Sequence, residues 1–556
     1  MLYYLDMEDK KKRCLLTWPP FITAHNLPLG IPSLVSYLKN NGIDNTEVID
    51  LNTAYLRKIR FFWFLYLLNK RYHNLVGKIK NKNTKDIKRG SPGTIKKDNP
   101  FWKKKILYFY SYLNRKINAL LNYRKVGNRK KRSIPWSLES IVKFDFGDRY
   151  INESKKIYQI LNPLIKKDAF SLIGISCIYP QQLFYAFIIA KVIKMRIDKD
   201  VQIVLGGTQI TKHIDHIINS EGPYDFVDFF ITDDGEEPLI KLLKEFPEKD
   251  LSDIPNLYFK PRGEAESYKK SKVTFRLAPK DFLTPDFRGF DLDIHRNQIP
   301  LLASKGCFWA KCNFCTYAGM QDCTYSISSA EKTLGIIKEL KKVYGVSNYR
   351  FVDDALPPRF MERLAHALSK DRLNIKWASS IILSKEFADQ DFCKTLKSSG
   401  LSQVSIGLES ISPRILILMN KCHKNLSESE IKVILANLKG AGIDVGLHII
   451  FGFPTETVDE ARKTVNFLIE NKALYDTCMF QPFCLEDDTP VFNNPEKFAI
   501  TKIHMGDKDS GERLGYRYEV ARGMNQEEAK KFTYGEAAYA FKKARVSAIS
   551  SEANLY

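Results

Sequence analysis

The chain has 556 residues, 86 Lys and Arg against 64 Asp and Glu, and a formal net charge of +22. That length suits two large domains and a tail, and a hydrophobic content of 44% is enough for packed cores. Ten cysteines argue for a reducing cytoplasm rather than a disulfide scaffold. Met1–Lys12 is too polar for a signal peptide, and the apolar run Arg60–Leu68 is too short to cross a bilayer.

Taken in chain order, Lys12–Pro20 reads as a strand broken by Pro19 and Pro20. Leu29–Lys39 has the apolar spacing of a helix, closed by Asn40, Asn41 and Gly42. Thr46–Leu51 is the next strand. Ser171–Cys177, Val201–Gly207 and Phe226–Asp233 are further short Val/Ile/Leu runs that end in small or polar residues, with helices between them. The pattern predicts a doubly wound, Rossmann-like α/β domain. Ligands of such sheets bind at the C-terminal strand edges, so Trp18, Pro19, Pro20, Ser176–Tyr179, Gly206, Gly207 and Thr208 are expected to face one ligand.

Charge is concentrated between the second and third of these strands. From Arg57 to Arg132 there are 24 Lys and Arg against two acids, Asp86 and Asp98, an excess equal to the whole chain's net charge, so the remainder is balanced. This block reads as an insertion over about 55–135, with aromatic helical faces (Phe61–Tyr66 and Ile106–Tyr110) around a loose centre, Lys78–Asn99. A basic amphipathic helix can lie on an anionic membrane surface or steer an acidic partner such as a precursor peptide or carrier protein. These readings are favoured over a nucleic-acid groove. A solvated helical hairpin is the plain alternative.

In the C-terminal half, Tyr349–Asp354, Val404–Ser410 and Asp444–Thr457 are apolar runs ending in carboxylates, glycines or both. Helical patterns at Pro358–Asp371, Glu386–Ser399, Glu428–Ala441 and Val458–Asn471 alternate with them. That order predicts βα units around a parallel sheet. The tail, about Thr489–Tyr556, reads as a turn and one or two helices that could cap the barrel mouth, with no catalytic motif of its own. Cys393, Cys422, Cys478 and Cys484 are isolated and read as core residues.

Cys307, Cys312 and Cys315 lie together in Gly306–Thr316. Three thiolates in one loop can hold three irons of a [4Fe–4S] cluster and leave the fourth open. With Cys323 as a fourth ligand they could instead hold structural zinc. The loop, with Phe314 before the last cysteine, resembles that of the radical SAM (S-adenosylmethionine) superfamily, although the first gap is one residue longer than usual. Gly407–Ser410, Met419–Lys421 and Gly452–Thr457 follow in the order seen in that family, and the resemblance covers about Pro300–Asp488. It implies a partial (β/α)6 barrel in which Cys307, Cys312 and Cys315 ligate the cluster. Phe314 would lie against the adenine, and Asp353, Asp354 and Glu409 would line the SAM site at strand ends. Gly452 and Pro454 would shape the loop near the adenine. A helix N-cap or surface ion pair is the alternative for Asp353 and Glu409.

Pro19-Pro20, Pro28–Gly30, Gly206–Thr208 and Asp234–Pro238, with the connector Asp281–Phe287, resemble the cobalamin-binding domain that precedes many such barrels. The Asp-x-His-x-x-Gly fingerprint is absent and His25 lacks an aspartate partner, so no protein histidine is expected on cobalt. The implied layout is a cobalamin domain at 1–275, a radical SAM barrel at 276–490 and a short, mostly helical extension at 491–556. The implied activity is reductive cleavage of SAM to a 5′-deoxyadenosyl radical and, in most such enzymes, C-methylation of an unactivated carbon. The substrate would be a peptide or other secondary-metabolite precursor, and electrons would come from an external donor. Rearrangement, cyclisation or carbon–carbon bond formation is the alternative within the family. A cobalamin- or anion-binding protein with structural zinc is the alternative outside it. The expected location is cytoplasmic, or peripheral at the inner membrane surface.

Overall fold

The computed structural model describes residues 13–20, 27–58, 151–168, 170–219, 226–245, 250–261, 267–295, 298–319, 324–508 and 515–550. His25, Cys323 and all of the basic insertion beyond residue 58 lie outside these. The chain divides into two compact units, Met1–Asp50 with Pro135–Leu555, and Leu51–Ile134. In the second unit the described part is one helix, Leu51–Lys58.

The first unit holds two large sheets. One is built from β1 (Cys14–Trp18), β2 (Thr46–Asp50), β3 (Leu172–Ser176), β4 (Gln202–Gly206), β5 (Phe229–Ile231), β6 (Leu257–Phe259) and β7 (Lys269–Lys270). Its order is β2-β1-β3-β4-β5-β6-β7, parallel from β2 to β5 and antiparallel from there on. β1, β3 and β4 are nearly continuous apolar runs because helices cover both faces of a parallel sheet. The chain leaves β1 toward β2 on one side and returns to β3 on the other, the kind of switch point at which such sheets place ligands at their C-terminal edge.

The second sheet contains β8 (Gln298–Leu301), β11 (Asn348–Phe351), β12 (Lys376–Ile381), β13 (Leu401–Glu409), β14 (Asp444–Phe451), β15 (Thr477–Pro482) and β18 (Ala548–Ser550). Every pairing in it is parallel, in the order β8-β11-β12-β13-β14-β15-β18. β9 (Ser304–Lys305) and β10 (Ser326–Ile327) form a small ladder on either side of the cysteine loop. The helices Ala330–Tyr344, Pro358–Lys370, Glu428–Gly440 and Val458–Glu470 lie between successive strands. Ser427 with Glu430 and Thr457 with Glu460 form capping boxes that fix where two of them begin. The expected helix Glu386–Ser399 is instead a 3-10 turn, Lys385–Ala388, followed by the helix Gln390–Ser398. Asp389 causes the break, because its carboxylate accepts the Asp391 N–H at 2.8 Å and caps a new start.

The tail is less helical than the sequence reading expects. β16 (Ile500–Lys508) and β17 (Tyr516–Val520) form an antiparallel pair, and β18 extends the barrel sheet beyond β15. Tyr516 and Tyr518 are buried while Arg517 and Glu519 face out, a period-two pattern that identifies β17 as a strand.

The connector between the sheets is tied to both. Asp286 N–H donates to the Pro32 carbonyl at 2.9 Å, and Ser36 Oγ donates to the Thr284 carbonyl at 2.5 Å. On the barrel side Phe287 N–H donates to Tyr344 Oη at 2.8 Å. The Asp50 carboxylate meets His295 Nε2 at 3.2 Å, both groups buried. These contacts set the strand ends of the first sheet against the start of the barrel.

Candidate active site

Cys307, Cys312 and Cys315 are half-buried on the loop that leaves β9. Cys315 N–H donates to the Cys312 carbonyl at 3.0 Å, and Asn313 N–H donates to the Met419 carbonyl at 2.9 Å. The loop thus folds back on itself and leans on the segment after β13. Burial pushes the Cys312 thiol up to about 12, with the Lys421 ammonium opposing and Cys315, Glu409 and Cys307 adding to the rise. All three cysteines therefore share one electrostatic neighbourhood. Among the described residues no three His, Cys, Asp or Glu side chains close on the position of a single metal ion. Three thiols on one folded loop are a donor set suited to a multi-iron cluster.

Facing the cysteines is a buried ion pair. Glu409 ends β13 with φ of +62° and meets Lys421 Nζ at 3.2 Å. A Cβ at Gly407 would lie 2.4 Å from Glu409 Oε1 and 3.0 Å from Lys421 Nζ, so the missing side chain makes room for the pair. Burial alone would lower the Lys421 ammonium, but Glu409 and the nearby thiols outweigh it and hold the group charged, above its ordinary value. Lys421 Nζ also sits 5.6 Å from the centroid of the Phe314 ring. Phe314 and Glu409, expected at the site, are thus brought together with a lysine that the sequence reading quoted without assigning a role.

The two aspartates after β11 part company. Asp353 is buried, and its carboxylate accepts Ser304 N–H at 2.6 Å, Ser304 Oγ–H at 2.5 Å and Ala303 N–H at 3.1 Å. Burial pushes its pKa up to about 6 against these donors. Its carboxylate fastens the turn before the cysteine loop. Asp354 is exposed.

Gly452 and Pro454 lie in the turn after β14. Gly452 has φ of +73°, and a Cβ there would fall 2.2 Å from the Ala529 Cβ, so the tail packs directly on this turn. Thr455 adopts φ of +77°, a strained value for a β-branched residue. Arg414 holds it, donating from one nitrogen to Thr455 Oγ1 at 2.9 Å and from another to its carbonyl at 2.8 Å. Glu456 is fully buried. Its Oε2 accepts Gly452 N–H at 2.5 Å, while Oε1 has no hydrogen-bond partner. Burial pushes this carboxyl up to about 8. In the sequence Glu456 lies within Gly452–Thr457, and nothing local to it signals its burial.

A cavity of about 370 Å³ lies at the C-terminal edge of the first sheet. Ser176, Gly206, Gly207 and Thr208 are among its lining residues. Gly207 has φ of +95°, and a Cβ there would lie 2.6 Å from the Cys177 carbonyl oxygen, so only glycine fits this close approach. Pro19, Pro20 and Tyr179 do not line the cavity. Pro19 and Pro20 are buried, and the Pro19 carbonyl accepts from Gln182 Nε2 at 3.2 Å. Gln182 Oε1 accepts in turn from the Ile178 and Tyr179 amides at 2.8 and 3.0 Å, so this buried amide joins the ends of β1 and β3. Tyr179 packs edge-on against Trp18, with ring centroids 6.4 Å apart.

Asp233, Asp234 and Glu236 line the cavity's polar side. Burial, with Asp234 adding and Lys305 opposing, pushes Glu236 up to about 7. The barrel contributes Leu301, Val352 and Lys305 to the lining, and the Lys305 ammonium meets Asp234 at 2.5 Å. Size, apolar lining and a few converging polar groups are those of a cofactor site.

Comparison with known proteins agrees with this geometry. The Radical SAM superfamily model matches residues 301–468. Bacteriochlorophyllide d C-12(1)-methyltransferase of Chlorobaculum tepidum is 27% identical over 221 residues, 38% of this chain and 46% of that protein. An uncharacterised methyltransferase of Pyrococcus horikoshii is 23% identical over 311 residues, 55% of this chain and 65% of that protein. The chain thus spans about half to two thirds of these curated relatives' lengths. In fold, the chain resembles the radical SAM methyltransferase TsrM from Kitasatospora setae, solved with cobalamin and a [4Fe-4S] cluster bound. The TM-score is 0.58 at 13% identity, covering 94% of this chain and 81% of that one.

Proposed function

We propose that this radical SAM protein is a cobalamin-dependent enzyme that cleaves SAM reductively and transfers a methyl group to carbon. The observation that carries the reading is the cavity shared by the two sheets. Lys305 lines it and stands two residues before Cys307, so a cofactor seated on the edge of the first sheet would lie beside the cysteine loop. Two of the three matched curated proteins are named methyltransferases, which supports methyl transfer; the third is named an anaerobic magnesium-protoporphyrin IX monomethyl ester cyclase, which keeps cyclisation as the second reading.

Cys307, Cys312 and Cys315 would hold three irons and leave the fourth for SAM. Cobalamin would sit over Gly206 and Gly207, where the backbone is bare enough for a large planar ring. When bound, these groups supply the electron, the 5′-deoxyadenosyl radical and the methyl carrier; the protein binds, orients and excludes competing reactions. Lys421 holds Glu409 in place beside the cysteines, Asp353 fixes the turn that delivers them, and the Gly452–Thr457 turn is held rigid by Arg414 and the tail. The substrate would be a peptide or other secondary-metabolite precursor. The basic stretch from Arg57 to Arg132 would gather an anionic partner or membrane surface, and deleting it should abolish salt-sensitive association of the protein. Among the described residues no helix is long and apolar enough to cross a membrane.

The test uses protein reconstituted without oxygen and supplied with cobalamin, SAM and a strong reductant, with 5′-deoxyadenosine and S-adenosylhomocysteine measured by mass spectrometry. Both products, the second dependent on cobalamin, are expected. Deoxyadenosine alone would replace methyl transfer with rearrangement or cyclisation. Neither product, from protein holding about four irons per chain, would refute the enzymatic reading.

A further inference from the structure

The extra residue in the first cysteine gap has a structural outcome. Between Cys307 and Cys312 the chain places Phe308, Trp309, Ala310 and Lys311, and Ala310 takes φ of +43° to accommodate them. A non-glycine residue in that region marks a loop held by its surroundings. Trp309 is held by its Nε1–H, which donates to the Asn420 carbonyl at 2.8 Å. Asn420, itself at φ of +53°, donates from Nδ2 to the Lys311 carbonyl at 2.8 Å and accepts from Lys424 Nζ through Oδ1. Two ammonium groups lie near the Trp309 ring, Lys311 at 5.3 Å and Lys424 at 5.9 Å from its centroid. Lys311 is exposed, and Ile417 on the adjoining helix Pro413–Leu418 is 59% exposed. The acid facing the cysteines, Glu409, is buried against Lys421 and presents no opposing charge at this surface.

We infer that Trp309, Lys311 and Lys424 form the docking surface for a small acidic protein that delivers single electrons to the cysteine loop. This rests on the reading that the loop holds a redox cluster. Two residues of chain span at most about 7 Å, so the Trp309 backbone lies that close to Cys307. A partner seated at this residue is therefore brought close to the cysteine loop. Two cations and an aromatic plane attract an acidic rim around an exposed redox group, and such charge pairing mainly raises the association rate. In each encounter the carrier is oxidised by one electron and the cluster is reduced by one; no bond is made or broken and no proton needs to move.

The experiment uses the full-length reconstituted protein and an acidic flavodoxin as probe. Binding of oxidised flavodoxin is titrated over a salt series, and deoxyadenosine formation is then compared with reduced flavodoxin and with Ti(III) citrate as reductants. Lys311→Glu should weaken flavodoxin binding and slow flavodoxin-driven turnover by about tenfold or more, flatten the salt dependence, and leave the Ti(III)-driven rate unchanged. Lys311→Arg should behave as wild type. Unchanged binding in Lys311→Glu would overturn the proposal. So would an equal loss with both reductants, which would make Lys311 part of the loop's internal structure or of substrate handling. If the wild type makes no deoxyadenosine with either reductant despite a full cluster, the proposed function fails, and the flavodoxin titration still decides the docking surface by itself.

Discussion

Glu456 gives a prediction that can be worked through in numbers. Its carboxyl is completely buried, one oxygen accepts Gly452 N–H and the other has no partner. Burial raises its pKa from 4.5 in the unfolded chain to about 8 in the folded protein. The folded state therefore holds a proton that the unfolded state has already lost, throughout the interval between those values. Below the unfolded value both states are protonated and the contribution to stability is complete. As pH rises it is lost at about 1.4 kcal/mol per unit, until the folded group ionises near its own pKa. Between about pH 5 and pH 7.5 the loss is about 3 kcal/mol. Glu456→Gln keeps a carbonyl for Gly452 N–H and does not titrate, so it should lack this slope. Urea unfolding of the apoprotein across that range, wild type against Glu456→Gln, reads the difference directly. The variant should become relatively more stable as pH rises, by about 3 kcal/mol from end to end. Two stability curves that run parallel from pH 5 to pH 7.5 would show that Glu456 is already ionised in the fold and would refute the reasoning.

Three further outcomes are expected. Cys312→Ala should lower bound iron well below the wild-type amount and abolish deoxyadenosine formation, with far-UV circular dichroism unchanged. Gly452→Ala places a methyl group 2.2 Å from the Ala529 Cβ at a φ of +73°, and should lower unfolding free energy by about 2 kcal/mol or more in a denaturant titration. Lys421→Met leaves the buried Glu409 carboxylate without its cation. It should lower unfolding free energy by about 3 kcal/mol or more in a denaturant titration.

Much of the architecture was legible because its signals are local. Short apolar runs ending in glycine or acid, separated by helical patterns, announced β1 to β5 of the first sheet and β11, β13 and β14 of the second. The strands β8, β12 and β15 carry the same kind of signal more weakly, and β17 hid an alternating pattern in a stretch read as helical. Cys307, Cys312 and Cys315 were legible because three thiols within nine residues have few other uses. Phe314 and Glu409 followed from their places in the resemblance.

What the sequence could not decide is which polar groups face a ligand and which are consumed by the fold. Asp353 and Asp354 are adjacent and chemically alike, yet one is buried on Ser304 while the other is exposed. Pro19 and Tyr179 sit near cavity residues in the chain, but Gln182 ties their backbone together and neither lines the cavity. Glu456 became notable only when the tail, more than 60 residues later, closed over it: Met524 N–H donates to its carbonyl at 2.8 Å. Residue type and spacing determine which groups are present and which element carries them, because strand and helix periods act over a few residues. Burial, pairing and the shared cavity depend on contacts between elements far apart in the chain, and only the tertiary structure brings those together.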